Sequence, residues 1–259
     1  MPENEYQYIF GPIYSWRLGV SVGIDPLSQS QKICSFDCEY CQLARTDCLQ
    51  SERMQWVATN DILNELKFFP VEHVDYYTFS GRGEPTLALN LGELIQGVKT
   101  ITKGKVAVIS NSTLIDRVDV QKDLLLADCV LLKLDAWNQE SLQRINQPSP
   151  DVHFSHIVDG IKKFRCFFKG ILAIQIMFVE ANKSFAPRIA RVVRDLNPDE
   201  VQLNTPLRPS NVQPISKKDM REIKKIFADF NAKTVYEKTQ KDIKPLHDKQ
   251  TKLRHGLSS

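Results

Sequence analysis

The sequence has no apolar run approaching the roughly 18–20 residues of a membrane-spanning helix, which predicts a protein without a membrane partner. Its first residues, Met1-Pro2-Glu3-Asn4-Glu5, carry neither the basic nor the apolar stretch of an export signal, so a cytoplasmic location is expected. Six cysteines in 259 residues, three of them within eight positions, do not read as a disulfide framework. No repeat of fixed period and no low-complexity stretch is present, which excludes a solenoid. Neither sign of charge dominates: 34 Lys and Arg against 31 Asp and Glu leave a formal net charge of only +3. Only residues 217–254 are locally rich in Lys and Arg. That region fits either contact with RNA phosphates or a solvated helix face leading to a loose terminus.

What is present is a hydrophobic content of 42%, enough for one sizeable core at this length, arranged as short β-branched runs alternating with longer amphipathic ones. That alternation predicts βαβ units and a parallel sheet. Strands are expected over residues 18–24, 76–80, 105–110, 129–134, 172–178 and 200–204. Helices are expected over 60–68, 91–101, 118–127, 154–164, 186–196 and 217–230. Six strand–helix units fall short of a closed eight-fold barrel and predict a partial (β/α)6 TIM-type barrel over residues 1–230. A basic, polar C-terminal extension follows over 231–259. In such α/β folds the working residues lie at the carboxyl ends of strands.

The segment Cys34-Ser35-Phe36-Asp37-Cys38-Glu39-Tyr40-Cys41 can turn three sulfurs inward on a soft metal centre, a zinc ion or an iron–sulfur cluster. Three ligands leave one iron of a four-iron cluster open. Structural zinc would want a fourth ligand, and Cys48 is the nearest candidate. The zinc reading makes the chain a non-catalytic metal- or RNA-binding module, while an electron carrier would want a fully ligated cluster. Cys129 and Cys166 stand in apolar surroundings and are expected to be buried and inert.

Further polar residues fall where strands end. In Phe79-Ser80-Gly81-Arg82-Gly83-Glu84-Pro85 the glycines allow close approach of backbone to a ligand, and the Glu84 carboxylate can accept from an ammonium. Asn111 ends the third expected strand, with Ser112 and Thr113 beside it as ligand contacts or helix caps. Lys133 and Asp135 share one side of a strand, either as ligand contacts or as an ion pair. Gln175 and Asn204 interrupt apolar strands, and buried amides need partners. Arg208 could hold a substrate anion.

The cysteine spacing, followed in order by the glycine-rich turn, Asn111, Lys133 and Asp135, resembles the radical S-adenosylmethionine (SAM) superfamily over roughly residues 8–230. The resemblance implies a [4Fe–4S] cluster on Cys34, Cys38 and Cys41, with SAM on its open iron. It implies that Tyr40, Gly81, Gly83, Glu84, Asn111, Lys133, Asp135, Gln175 and Asn204 bind SAM. It further implies reductive cleavage of SAM to a 5′-deoxyadenosyl radical that abstracts a substrate hydrogen. An external electron donor of flavodoxin or ferredoxin type is implied as a partner. Arg82 interrupts the usual pair of glycines in the turn.

Phe10-Gly11-Pro12 and the stretch from Ser15 to Asp25 resemble a group of small Fe–S oxidoreductases near the tRNA wyosine-forming enzymes. Trp16 stands where that group commonly has arginine. Arg17, Ser21 and Tyr14 then line the barrel mouth, unless the stretch is only a hairpin closing the barrel. The substrate this resemblance leads one to expect is a tRNA base or other small aromatic, with a glycyl radical protein or a small molecule or peptide as alternatives. The sequence marks no catalytic acid, base or radical relay, and Tyr14, Tyr76 and Tyr77 read as core aromatics.

Overall fold

A computed structural model describes residues 6–43, 45–70, 73–237 and 243–255. Its centre is one curled sheet of eight strands in sequence order. The strands are β1 (Ile9–Ser15), β2 (Gly19–Ile24), β3 (Tyr76–Phe79), β4 (Val106–Ser110), β5 (Cys129–Lys133), β6 (Ile171–Met177), β7 (Glu200–Asn204) and β8 (Ala232–Thr234). β1 and β2 form an antiparallel hairpin, and every later pairing is parallel. The six expected strands are β2 to β7, and the half-barrel they form is the partial TIM-type barrel expected. β1 and β8 extend it by one strand at each edge.

The helices are α1 (Thr59–Lys67), α2 (Leu91–Thr102), α3 (Val118–Leu124), α4 (Gln139–Asn146), α5 (Phe154–Phe167), α6 (Ala186–Leu196), α7 (Lys217–Ile226) and α8 (Asp248–Arg254). They cover the outer face, so outward residues such as Val22, Phe79, Val108, Val130, Leu132, Ile174 and Leu203 join the main core. α6 shows the cause locally: Ile189, Ala190, Val193 and Leu196 fall on one buried stripe, and Asn197 ends the helix in a left-handed conformation. Among the described residues no helix is long and apolar enough to cross a membrane.

The inner face is smaller and changes character along its height. Near the start of the strands, Leu18, Ala107, Cys129, Leu131 and Ala173 form a compact apolar plug. One layer higher the register aligns Lys133, Gln175, Gln202 and Lys233. The lumen therefore passes from apolar to polar toward the carboxyl ends of the strands.

The C-terminal segment is folded over its described part. Residues 238–242 and 256–259 of the expected extension lie outside the described residues. β8 pairs with β7, and α8 packs on β1, where Leu246 N donates to Gly11 O at 2.8 Å. Several cations of residues 217–254 are matched: Lys224 with Glu237, Lys233 with Glu200, and Lys252 with Asp248. Those pairs account for part of the Lys and Arg richness without any nucleic acid.

Candidate functional site

The cysteine loop lies between β2 and α1, above the carboxyl ends of the strands, and is pinned on three sides. Ile33 N donates to Arg82 O at 3.1 Å, and Glu84 N donates back to Ile33 O at 2.9 Å. Gln50 N donates to Cys34 O, while Asp37 N and Glu39 N donate to carbonyls at the end of α4. Gly83 is required by this contact: a Cβ there would sit 1.7 Å from Ile33 O. Gly81, at φ +141°, leaves room for Asp25 in the same way. The turn's glycines thus admit protein backbone and side chain, which the ligand-approach reading of the sequence did not anticipate. Gly83→Ala is expected to push the loop away and cost about 1–3 kcal/mol, the usual range for overpacking. Denaturant unfolding measures the loss, and iron retained after reconstitution should fall with it.

Cys34 is buried, Cys38 and Cys41 are half-buried, and Cys48 is exposed. Burial pushes the Cys34 thiol up to about 12 and the Cys38 thiol up to about 11, so both are neutral unless a metal centre stabilises the thiolate. Lys32, unremarked in the sequence, faces all three sulfurs. Burial lowers the proton affinity of its ammonium, but Cys41, Cys34 and Cys38 together raise it above its ordinary value. Among the described residues no three Cys, His, Asp or Glu side chains gather tightly enough to hold a single metal ion. The four-cysteine zinc arrangement with Cys48 therefore has no preformed counterpart. Three soft donors, one cationic neighbour and no carboxylate in the donor set fit a thiolate-bound cluster, whose ligands stand farther apart than those around one ion. A cleft of about 290 Å³ opens over Cys38 and Cys41. Cys129 is buried as expected, whereas Cys166 is exposed on α5, its flank of Phe167 turned to solvent.

Around the cysteines lies a layer of satisfied polar groups. Asn111 Nδ2 donates to Ser35 Oγ at 2.9 Å and lies 3.6 Å from Cys34 Sγ. Glu84 is buried, and burial pushes its carboxyl up against opposing hydrogen bonds from Thr86, Asn111 and Ser110. Through the bonds from Thr86 and Asn111, Glu84 is a strut between the turn and the end of β4. Ser112 and Thr113 do not cap a helix, because α3 begins only at Val118. Ser112 donates to Lys133 O at 2.9 Å, and the Thr113 hydroxyl is 2.7 Å from that of Ser35.

Asp135 is fully buried and accepts from Met177 N at 2.6 Å, from Asn146 Nδ2 at 2.8 Å and from the Tyr40 hydroxyl. Lys133 Nζ is 3.5 Å from the same carboxylate and 4.5 Å from the Tyr40 ring centre. Burial first, then Asp135 and Cys38, hold the Tyr40 phenol well above its ordinary value, so it stays a proton donor in these bonds. Asn146 Nδ2 also lies 3.3 Å from Cys38 Sγ. It ends α4, a helix absent from the sequence expectations. Its one visible signal was Asn138 three residues before Ser141, the capping box that starts the helix.

The remaining expected residues line the lumen. Gln175 and Gln202 pair across β6 and β7, and Asn204 pairs with Met177 one step higher. The side-chain amide oxygen of Gln202 (Oε1) is buried without a hydrogen-bond partner. Ser21 and Thr78 share a hydroxyl contact at 2.7 Å on the opposite wall. Arg208 stands on the exposed rim and donates to Gln42 Oε1 at 3.3 Å, next to Cys41.

Three comparisons bear on this arrangement. The sequence pattern of the radical SAM superfamily matches residues 28–180. A UPF0026 protein of Synechocystis is 41% identical over 206 residues, covering 79% of this chain and 77% of that protein. One from Methanocaldococcus jannaschii is 36% identical over 229 residues, covering 86% and 70%. Among solved structures, TYW1 with a lysine–pyruvate adduct bound superposes with a TM-score of 0.64 at 15% identity, over 81% of this chain and 74% of that one. Streptococcus suis SuiB bound to precursor peptide SuiA gives 0.63 at 15% identity over 82% of this chain. The chain spans about half of SuiB, 48% of its length. At these identities the structural likenesses establish the fold.

Proposed function

This chain belongs to the radical SAM superfamily, whose cofactors are a [4Fe–4S] cluster and SAM, and on that premise we propose that Cys34, Cys38 and Cys41 ligate the cluster here. The observation that carries the reading is the placement of three thiols, facing one lysine, above the mouth of a parallel half-barrel. When bound, the two cofactors supply one-electron cleavage of SAM to methionine and a 5′-deoxyadenosyl radical, which takes a hydrogen atom from substrate. The electron comes from an external low-potential donor of flavodoxin or ferredoxin type.

The chain's own residues bind, orient and shield. Lys32 offsets the negative charge of three thiolates. Asn111 and Asn146 orient Cys34 and Cys38 by hydrogen bonds, the outer-shell role that fixes a ligand's direction. Asp135 fixes Tyr40 and Lys133, leaving the half-shielded Lys133 ammonium as the cation for the SAM carboxylate. Glu84 keeps the Gly81–Gly83 turn in place, and the turn's backbone together with this carboxylate meets the SAM amino group. Gln175 and Asn204 supply amides to the adenosine or the substrate. An amide-lined lumen suits the donor and acceptor edges of a heteroaromatic ring, which supports a tRNA base or other small aromatic as substrate. An oxygen-sensitive cluster fits a cytoplasmic setting.

Anaerobic reconstitution with iron and sulfide, then reduction with dithionite in the presence of SAM, tests this reading. Slow release of 5′-deoxyadenosine without added substrate is expected. A protein that takes up zinc, stays colourless and releases none contradicts it.

A further inference from the structure

Arg17 lies in the turn between β1 and β2, Arg208 in the loop after β7, and His255 at the end of α8. The three distant segments converge: Arg208 is near enough to act on the charge of Arg17, and both guanidiniums act on His255. Leu18, next to Arg17, belongs to the apolar plug at the lumen's base. His255 packs edge-on against Phe10 of β1, with ring centres 6.2 Å apart. Arg208 reaches in from the rim, beside Gln42 and the cysteine loop.

Two guanidiniums beside a histidine are an unusual group to leave without an acid. Two deeply shielded arginines have acids: Arg53 is matched with Asp119 and Asp123, and Arg254 with Asp25. Among the described residues Arg17 has no such match. Its Nε is buried with no hydrogen-bond partner, and its guanidinium lies 5.2 Å from the centre of the Trp16 ring. Among the described residues Arg208 has no ion-pair partner either, and it donates to the neutral Gln42 amide. Shielding the Arg17 cation without an anion costs free energy, whereas Arg208 is exposed and free to reach a ligand; each guanidinium presents a fork suited to carboxylate or phosphate. Burial, then Arg208 and Arg17, lower His255 to about 3, so its imidazole is neutral and can donate one N–H.

We propose that Arg17, Arg208 and His255 form a substrate-anion site in the lumen, so that the enzyme acts on a molecule carrying a phosphate or carboxylate. The site rests on the radical SAM reading and deepens it: the oxyanion anchors one end of the substrate while its reacting carbon faces the cysteine loop.

Calorimetric titration of the reconstituted full-length protein with inorganic phosphate, and separately with acetate, tests the site. Saturable binding is expected in at least one arm. Binding only in the phosphate arm assigns a phosphoryl group, and binding only in the acetate arm assigns a carboxylate. Arg17→Gln and Arg208→Gln are each expected to weaken it at least tenfold, while Arg191→Gln, exposed on α6, is not. Circular dichroism identifies any variant that fails to fold, and the rim position of Arg208 keeps the test available if Arg17→Gln does so. No binding in either arm overturns the proposal, as does wild-type affinity in the folded arginine variants. Displacement of the bound anion by SAM also overturns it, because the cations then serve SAM. The two readings fail separately: a cluster signal without anion binding removes only this site, and arginine-dependent anion binding without a cluster removes only the assigned cofactor ligands.

Discussion

Cys38→Ala is expected to leave the protein without a stable cluster after anaerobic reconstitution and without detectable 5′-deoxyadenosine release. The sulfur lost is half-buried above the barrel mouth, and the Asn146 amide is aimed at it from 3.3 Å. No other cysteine stands in reserve. Cys48 is exposed and directed at its neighbour's carbonyl, while Cys129 belongs to the plug at the lumen's far end. Removing an outer-shell partner of a metal ligand costs about 10–100-fold in affinity or activity, so loss of a ligand should exceed that range. Cys34→Ala and Cys41→Ala should behave alike. Cys48→Ala and Cys166→Ala should retain iron, colour and turnover. Iron content together with product assay checks all five, and a Cys38→Ala protein with full iron and turnover would remove Cys38 from the ligand set.

The second large effect concerns stability. Asp25→Ala is expected to destabilise the fold by about 3–5 kcal/mol, the cost of stranding one partner of a buried ion pair. Asp25 and Arg254 side chains are each 1% exposed and meet at 3.0 Å. The same carboxylate accepts from the backbone N–H groups of Leu27, Ser28 and Arg82. It therefore joins β2, the glycine turn and α8 at one point. Arg254 also donates to Gln7 O and Ser28 Oγ, so Arg254→Met should strand several acceptors. The double variant should lose less than the sum of the two single losses, since neither charge is left alone. Urea unfolding of the four proteins measures this. A loss under about 1 kcal/mol for Asp25→Ala, the range of an exposed pair, would show that the C-terminal helix is not locked to the barrel.

The strands β2 to β7 were legible because a parallel sheet covered on both faces reads as continuous apolar runs such as Val130-Leu131-Leu132. β8, three residues at the sheet edge, carries no such run. α4 escaped notice because its buried apolar residues are Leu142 and Ile145 alone in an otherwise polar stretch. The cysteine triplet was legible through spacing and the lumen amides through polarity in apolar surroundings. The partnerships were not. Nothing in the sequence distinguishes Lys32 from a surface lysine, and His255 acquires its setting only when α8 crosses β1. The same limit applies to Glu84 and Gly83, whose residue types suggest ligand contact and do not reveal that they also fix the turn on which the cysteine loop rests.

The central claim, a site-differentiated [4Fe–4S] cluster with SAM on its open iron, is tested most directly by EPR of the reduced, reconstituted protein with and without SAM. A [4Fe–4S]+ signal whose g-values shift on adding SAM is the expected result. A cluster signal indifferent to SAM, or no cluster signal in a protein that binds zinc, would contradict it.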